Sequence, residues 1–274
     1  MCATCGCGTD EVRVSGEAVA THDHSDGHDH GHTHEHGHDH GHPHDHDHQH
    51  PHAPAVPDEL RTHTLEIETA VLAKNDALAA DNREWLSSRG IAAINLMSSP
   101  GAGKTSLLER TIRDNGPERQ LCVIEGDQET VFDAERIRAA GARAVQINTG
   151  SGCHLDATMV RRGLDSLAPA DGDLVVLENV GNLVCPALFD LGESKKVVII
   201  SVTEGDDKPL KYPHMFAAAD LVVVNKTDLL PYVDFDVDRC EKDARSLNPD
   251  LTWLPMSVHS GQGLGDWYSW LRGL

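Results

Sequence analysis

The chain has 274 residues, room for one substantial core plus something smaller, and sets 23 Lys and Arg against 44 Asp and Glu for a formal charge of -21. That acid excess repels a phosphate backbone and argues against nucleic acid as a partner. Histidine is the outlier: fifteen of the 19 lie between His22 and His52, so composition points to metal before any motif does.

Residues 1–57 read as a Cys/His-rich metal-binding arm. Cys2, Cys5 and Cys7 pack three thiols into six residues, and from His22 onward His alternates with Asp and Gly up to a proline-punctuated end at Pro57. With almost no large apolar side chain after Val19, the arm cannot offset its ordering entropy and is expected to be mostly disordered without metal. It carries about -9 of the charge, one Arg against ten acids, so the acidity is shared with the rest of the chain. The N-terminus lacks an apolar h-region and the longest apolar runs are strand-length, which predicts no signal peptide, no membrane span and a cytoplasmic protein. In a reducing compartment seven cysteines suit metal binding better than a disulfide framework.

Residues 58–274 have ordinary globular texture. Leu65, Ile67, Val71, Leu72, Leu78 and Trp85 predict a helix with one apolar face, stopped at Arg89-Gly90. Buried-strand runs follow at 91–97, 121–125, 144–147, 174–178, 197–202 and 221–225, and amphipathic helices intervene at 105–114, 133–140, 156–167 and 234–247. This alternation predicts an α/β fold, a mostly parallel sheet flanked by helices.

Between the first of these strands and the helix at 105–114 stands Ser98-Ser99-Pro100-Gly101-Ala102-Gly103-Lys104-Thr105, a P-loop pattern with Ser98 in place of the first glycine. Gly101, Ala102, Gly103 and Ser106 are placed to hold phosphate against a helix N-terminus. Lys104 would neutralise the terminal phosphates during transfer, and Thr105 would offer its hydroxyl to Mg2+. At the end of another apolar strand, Asn225-Lys226-Thr227-Asp228 supplies a carboxylate that can accept from both the ring N–H and the exocyclic amine of guanine. Adenine lacks that donor pair, so the motif selects GTP and GDP. Ser257 and Val258 would form a second base-contacting loop. Two strand-end acids, Asp127 and Glu178, join Thr105 as magnesium candidates, with Asp127 favoured for positioning water or metal and Gly181 for sensing the terminal phosphate. Spacing does not divide the roles of the two acids.

Cys2, Cys5 and Cys7 suit a single Ni2+ in a square-planar set, whereas Zn2+ would prefer a tetrahedral one. A second cluster is Cys153-His154 with Cys185, on stretches expected to leave neighbouring strands and to converge near the phosphates. Three soft ligands leave the shell one short, to be completed by water or another subunit. A buried Cys153 with an unrelated Cys185 accounts for the spacing too, and spacing alone does not choose.

These residues together resemble the hydrogenase nickel-incorporation GTPases of the HypB family. The resemblance runs over nearly the whole chain, through Met1-Cys2-Ala3-Thr4-Cys5-Gly6-Cys7-Gly8, Glu125-Gly126-Asp127-Gln128, Thr149-Gly150-Ser151-Gly152-Cys153-His154, Glu178-Asn179-Val180-Gly181-Asn182-Leu183-Val184-Cys185-Pro186, the segment from Ser201 to Pro213 and the two nucleotide motifs. It implies a P-loop GTPase fold and a GTP-dependent homodimer that helps insert nickel into nickel-iron hydrogenase. The implied partners are a small zinc-containing maturation protein and the hydrogenase large subunit. It also implies a tight nickel site at Cys2, Cys5 and Cys7, and a nucleotide-linked Ni2+ or Zn2+ site at Cys153, His154 and Cys185, with the histidine tract as a store. Two other readings compete. A nickel-buffering protein with a vestigial nucleotide site sits poorly with intact motifs, and delivery to urease sits poorly with a Cys153-His154 pair that has no intervening proline.

Overall fold

The computed structural model describes residues 14–15, 58–116, 118–127, 132–150 and 152–274. Cys2, Cys5, Cys7 and the histidine tract lie outside the described residues. The larger compact unit holds Thr69–Leu274 with the strand at 14–15; Glu17–Glu68 falls in a second unit, of which only the first turns of one helix are described.

In chain order the elements are β1 (Val14–Ser15), α1 (Asp58–Ser87), β2 (Ala92–Ser98), α2 (Lys104–Arg113), β3 (Leu121–Asp127), α3 (Phe132–Ala140), β4 (Arg143–Asn148), α4 (Ala157–Leu167), β5 (Leu174–Glu178), α5 (Cys185–Leu188), β6 (Lys195–Ser201), α6 (Lys208–Lys211), α7 (Pro213–Ala217), β7 (Leu221–Asn225), a 3-10 turn (Thr227–Tyr232), α8 (Val237–Leu247), β8 (Thr252–Pro255) and α9 (Leu264–Arg272). They build the P-loop GTPase fold. The sheet order is β1-β4-β3-β5-β2-β6-β7-β8, with β1 antiparallel to β4 and all other pairs parallel. Strands buried on both faces need continuous apolar runs, which is why β6 and β7 read as they do. One face packs Leu107, Leu108, Ile137, Trp267 and Leu271 from α2, α3 and α9. The other packs Leu86, Val160 and Leu164 from α1 and α4, and Met215, Phe216 and Cys240 from α7 and α8.

Seven elements escaped the periodicity reading: the one-turn helices α5, α6 and α7, the 3-10 turn, β1, β8 and α9. β1 spans two residues and β8 four, too short to show a pattern. Helix α9 starts behind Gly263, held at φ 77°, and drives Leu264, Trp267 and Leu271 into the core while Trp267 Nε1 donates to Thr111 Oγ1 at 2.9 Å. Two corrections also follow. Cys153 and Cys185 do not leave neighbouring strands, because β3 lies between β4 and β5. The loop after β4 crosses the end of β3 at Gly126, where a Cβ would lie 2.7 Å from the Leu155 side chain. Helix α1 is present, but its predicted apolar face is rotated: Val71 is 52% exposed, and the buried stripe is Asn75, Ala79, Asn82 and Leu86.

The two buried asparagines of α1 are satisfied by backbone. Asn75 Nδ2 donates to Asp190 O at 2.7 Å and its Oδ1 accepts the Ala157 N–H at 2.9 Å. Asn82 Nδ2 donates to Ala157 O at 2.9 Å and Leu191 O at 3.1 Å. Truncating Asn82 strands buried carbonyls, so Asn82→Ala should lower stability by about 2 kcal/mol in urea unfolding, whereas Val71→Ala should stay within roughly 0.5 kcal/mol.

Candidate functional site

Parallel strands aim their carboxyl ends at one edge, and the P-loop leaves β2 between β5 and β6 on that edge. Its turn uses left-handed backbone at Gly101 (φ 76°) and Gly103 (φ 108°). Ser98 needs no such angle: it is the buried last residue of β2, and its hydroxyl accepts from Lys104 Nζ at 2.7 Å. Ser99 is hydrogen-bonded to Glu204, which pairs with Lys208 at 3.2 Å, so the segment after β6 supports the loop. Burial pulls the Lys104 ammonium below its usual value, with Glu178 and Asp133 pulling the other way.

A cleft of about 480 Å³ opens over this loop, lined among others by Lys104, Thr105, Glu125, Asp127 and Glu178, with Asp133 and Arg136 from α3 and Gly181 opposite. Thr105 Oγ1 donates to Glu178 Oε1 at 2.7 Å. Glu125 stands directly beside Glu178 in the β3–β5 register. Burial, reinforced by the neighbouring carboxylate, pushes Glu125 up to about 8, and burial pushes Glu178 up to about 7 against the opposing Lys104 charge. Glu125 Oε2 and Glu178 Oε2 are both buried and lack a hydrogen-bond partner in the protein. Orphaned carboxylate oxygens beside a threonine hydroxyl form an oxygen donor set that fits Mg2+.

The second motif braces the first. Asn225 Nδ2 donates to Ala102 O at 2.9 Å, and a Cβ on Gly103 would fall 2.4 Å from that nitrogen. Asn225 Oδ1 accepts the Lys226 and Val258 N–H groups at 2.8 and 3.2 Å, while Lys226 Nζ donates to Gly101 O at 2.9 Å. Ser257 Oγ donates to Asp228 Oδ1 at 2.5 Å, joining the two predicted base-contacting loops.

Cys153, His154 and Cys185 do converge: one ligand atom from each lies within 4.8 Å of the others, and the two sulfurs are 2.8 Å apart. His154 stacks on Phe189 with centroids 3.8 Å apart, and burial lowers its pKa, which favours the neutral, ligating imidazole. Among the described residues this is the one such cluster of His, Cys and carboxylate ligands.

Residues 92–255 match the family model described as CobW/HypB/UreG, nucleotide-binding domain. The hydrogenase maturation factor HypB of Azotobacter chroococcum is 50% identical over 289 aligned positions, covering 99% of this chain and 92% of that protein. The chain belongs to the HypB family. Two solved HypB structures agree: that from Archaeoglobus fulgidus (TM-score 0.69, 45% identity, 74% of this chain and 98% of that one) and that from Helicobacter pylori in complex with nickel (TM-score 0.70, 41% identity, 73% and 94%). Among the described residues no helix is long and apolar enough to cross a membrane.

In this HypB-family chain the sequence-predicted nucleotide residues gather around two connected loops. Asp127 lines the same cleft as Glu178, but the hydroxyl of Thr105 is bonded to Glu178. Glu125, Asp133 and Arg136 are cleft residues the sequence reading missed. Glu125 looked like part of an apolar strand, although a carboxylate inside such a run is itself a signal; Asp133 and Arg136 looked like an ordinary helix surface. Asn225→Ala should loosen the P-loop and weaken guanine-nucleotide binding about 10- to 100-fold, read by titration with a fluorescent nucleotide.

Proposed function

We propose that the chain is a GTP-hydrolysing nickel metallochaperone that acts in maturation of nickel-iron hydrogenase. The observation that carries this reading is the Cys153, His154 and Cys185 cluster on a chain whose P-loop cleft gives rise to one of its ligands: the segment that leaves β5 at Glu178 runs past Gly181 in the cleft to Cys185. The nickel-complexed Helicobacter pylori relative supports nickel as the cargo.

In this mechanism the backbone N–H groups of Gly101, Ala102, Gly103, Lys104, Thr105 and Ser106 hold the phosphates, aided by the N-terminus of α2. Lys104 stabilises charge on the transferring phosphoryl group. Thr105 and Glu178, with Asp127 and the adjacent Glu125, would hold Mg2+, which supplies charge neutralisation of the phosphates when bound. Asp127 orients the attacking water. Asp228, held by Ser257, accepts from the two guanine donors, with Asn225, Lys226 and Val258 closing the base pocket. Ni2+ or Zn2+ sits on Cys153, His154 and Cys185, and a second copy of the chain in a GTP-dependent homodimer completes its shell. Cys2, Cys5 and Cys7 form a further nickel site and the histidine tract a store. The chain then works in the cytoplasm with a small zinc-containing maturation partner and the hydrogenase large subunit.

Nickel and zinc affinities of the full chain, measured without nucleotide, with GDP and with a non-hydrolysable GTP analogue, test the reading; identical values in all three states refute the linkage. Lys104→Ala should lower GTP turnover by about 100-fold or more while the circular-dichroism spectrum is kept. Asp228→Asn should lose preference for GTP, because an amide cannot accept from both guanine donors; competition among GTP, ATP and xanthosine triphosphate reads it. Deleting residues 20–55 should remove most of the multi-ion nickel capacity in equilibrium dialysis and leave GTP turnover in place.

A further inference from the structure

One buried polar chain links the nucleotide cleft to the cysteine cluster. Asn179, only 1% exposed, follows Glu178 directly and lines the cleft. Its Oδ1 accepts two backbone N–H groups at 3.0 Å, that of Val180 on its own loop and that of Leu155 on the loop after β4. Its Nδ2 donates to Asn95 Oδ1 at 3.2 Å, and Asn95 Nδ2 donates to Glu193 Oε1 at 3.2 Å. The other Glu193 oxygen accepts the Leu191 N–H at 2.7 Å, and Asn82 then joins Leu191 O to Ala157 O. The chain begins at Leu155 and closes at Ala157, so the segment that follows His154 is held from two sides.

The two amides on Asn179 Oδ1 belong to loops with different duties. Val180 precedes Gly181, where a Cβ would lie 3.1 Å from Pro100 Cγ of the P-loop. Leu155 follows His154, and its side chain fills the space over Gly126 in the cleft floor. We infer that Asn179 is the positioning residue through which the nucleotide state of the cleft reaches the Cys153, His154 and Cys185 site, an inference that rests on the nucleotide-linked nickel reading proposed above. One oxygen keeps donors from two loops only while the loops keep their spacing. A terminal phosphate that draws Val180 and Gly181 toward itself either carries Leu155 along or breaks the Leu155 bond. Both outcomes move His154, the ligand next in the chain, and Cys185 lies six residues beyond Asn179 on the moving loop. Burial makes the Leu155 end of the link stiff, since that amide has no water to replace a lost acceptor, while the Val180 end is half-buried at the cleft.

The test uses the full chain and Ni2+ as probe, with affinity measured by chelator competition in GDP and in a non-hydrolysable GTP analogue, while the thiolate-to-nickel absorption band reports ligation. The parent should show affinities differing by about fivefold or more between the two nucleotide states. In Asn179→Ala the ratio should fall to within about twofold of unity with the band retained. Asn82→Ala, in the same polar chain but away from the cleft, should lose stability and keep the parental ratio. If Asn179→Ala fails to fold, Asn179→Ser replaces it, because a hydroxyl on the shorter side chain cannot reach both amides. A parental ratio in a folded Asn179 variant overturns the inference and leaves the nucleotide-linked reading standing. A ratio of unity in the parent overturns that reading, and the inference with it. A ratio lost equally in Asn82→Ala marks general loosening and overturns the positioning role.

Discussion

The pairing register of β3 with β5 is the constraint on which the cleft depends, because it sets Glu125 beside Glu178 inside the protein. Adjacent strands lie about 4.8 Å apart, a distance at which two buried carboxylates cannot both ionise without a compensating charge. Lys104 supplies part of it at Glu178; burial is the main cause that raises both acids, and the Glu178 charge adds to the rise at Glu125. A sheet with continuous apolar strands and helices packed on both faces has burial enough to tolerate this electrostatic cost. The site is therefore poised for a cation and an anion together, since each relieves the penalty the other would incur alone.

Preorganisation of the phosphate loop comes from a distant motif. A turn with left-handed residues at Gly101 and Gly103 leaves carbonyls pointing away from the phosphate, and these need partners. Asn225 and Lys226 meet the carbonyls of Ala102 and Gly101, and Lys226 itself sits in the left-handed region at φ 63°. That places strain at a site residue, held by a bonded frame that includes Val258 and Met256. The Asn225-Lys226-Thr227-Asp228 segment thus has a structural duty toward the P-loop, besides the base contact proposed for it.

Most of the sheet and the long helices were legible because each is an apolar run or an amphipathic repeat bounded by a turn, and the P-loop and Asn225-Lys226-Thr227-Asp228 were legible because their spacing is local. Strand order was not, since β3 comes to lie between β4 and β5 through crossovers that no local pattern encodes. Convergence of Cys153 with Cys185 therefore waited on the structure, and so did the use of Gly126 as a gap over which Leu155 passes. Glu125 was hidden by its own context, an acid within an otherwise apolar strand. Helix α1 was found and yet rotated, because periodicity scores asparagine as solvent-facing.

That rotation explains the architecture around the metal loop. Leucine at positions 75 and 82 would bury more apolar surface, but would leave the Asp190, Leu191 and Ala157 backbone groups they now serve without partners, each a loss comparable to the gain from one buried side chain. The loops after β4 and before β6 turn sharply at the helix, and Gly192 lies so close that a Cβ would approach Ala79 O and the Asn82 side chain at 2.6 Å. Irregular backbone at such a seam requires side chains that both donate and accept, which asparagine provides in little volume. A hydrogen-bonded seam also has a directional geometry that apolar packing lacks, so a displacement on one side is transmitted as a definite change of partner. Helix α1 bonds the loop after His154 at Ala157 while Asn179 bonds it at Leu155 from the cleft side, so the nucleotide-linked shift proposed above would act on a loop tied at two adjacent points by side chains of different elements.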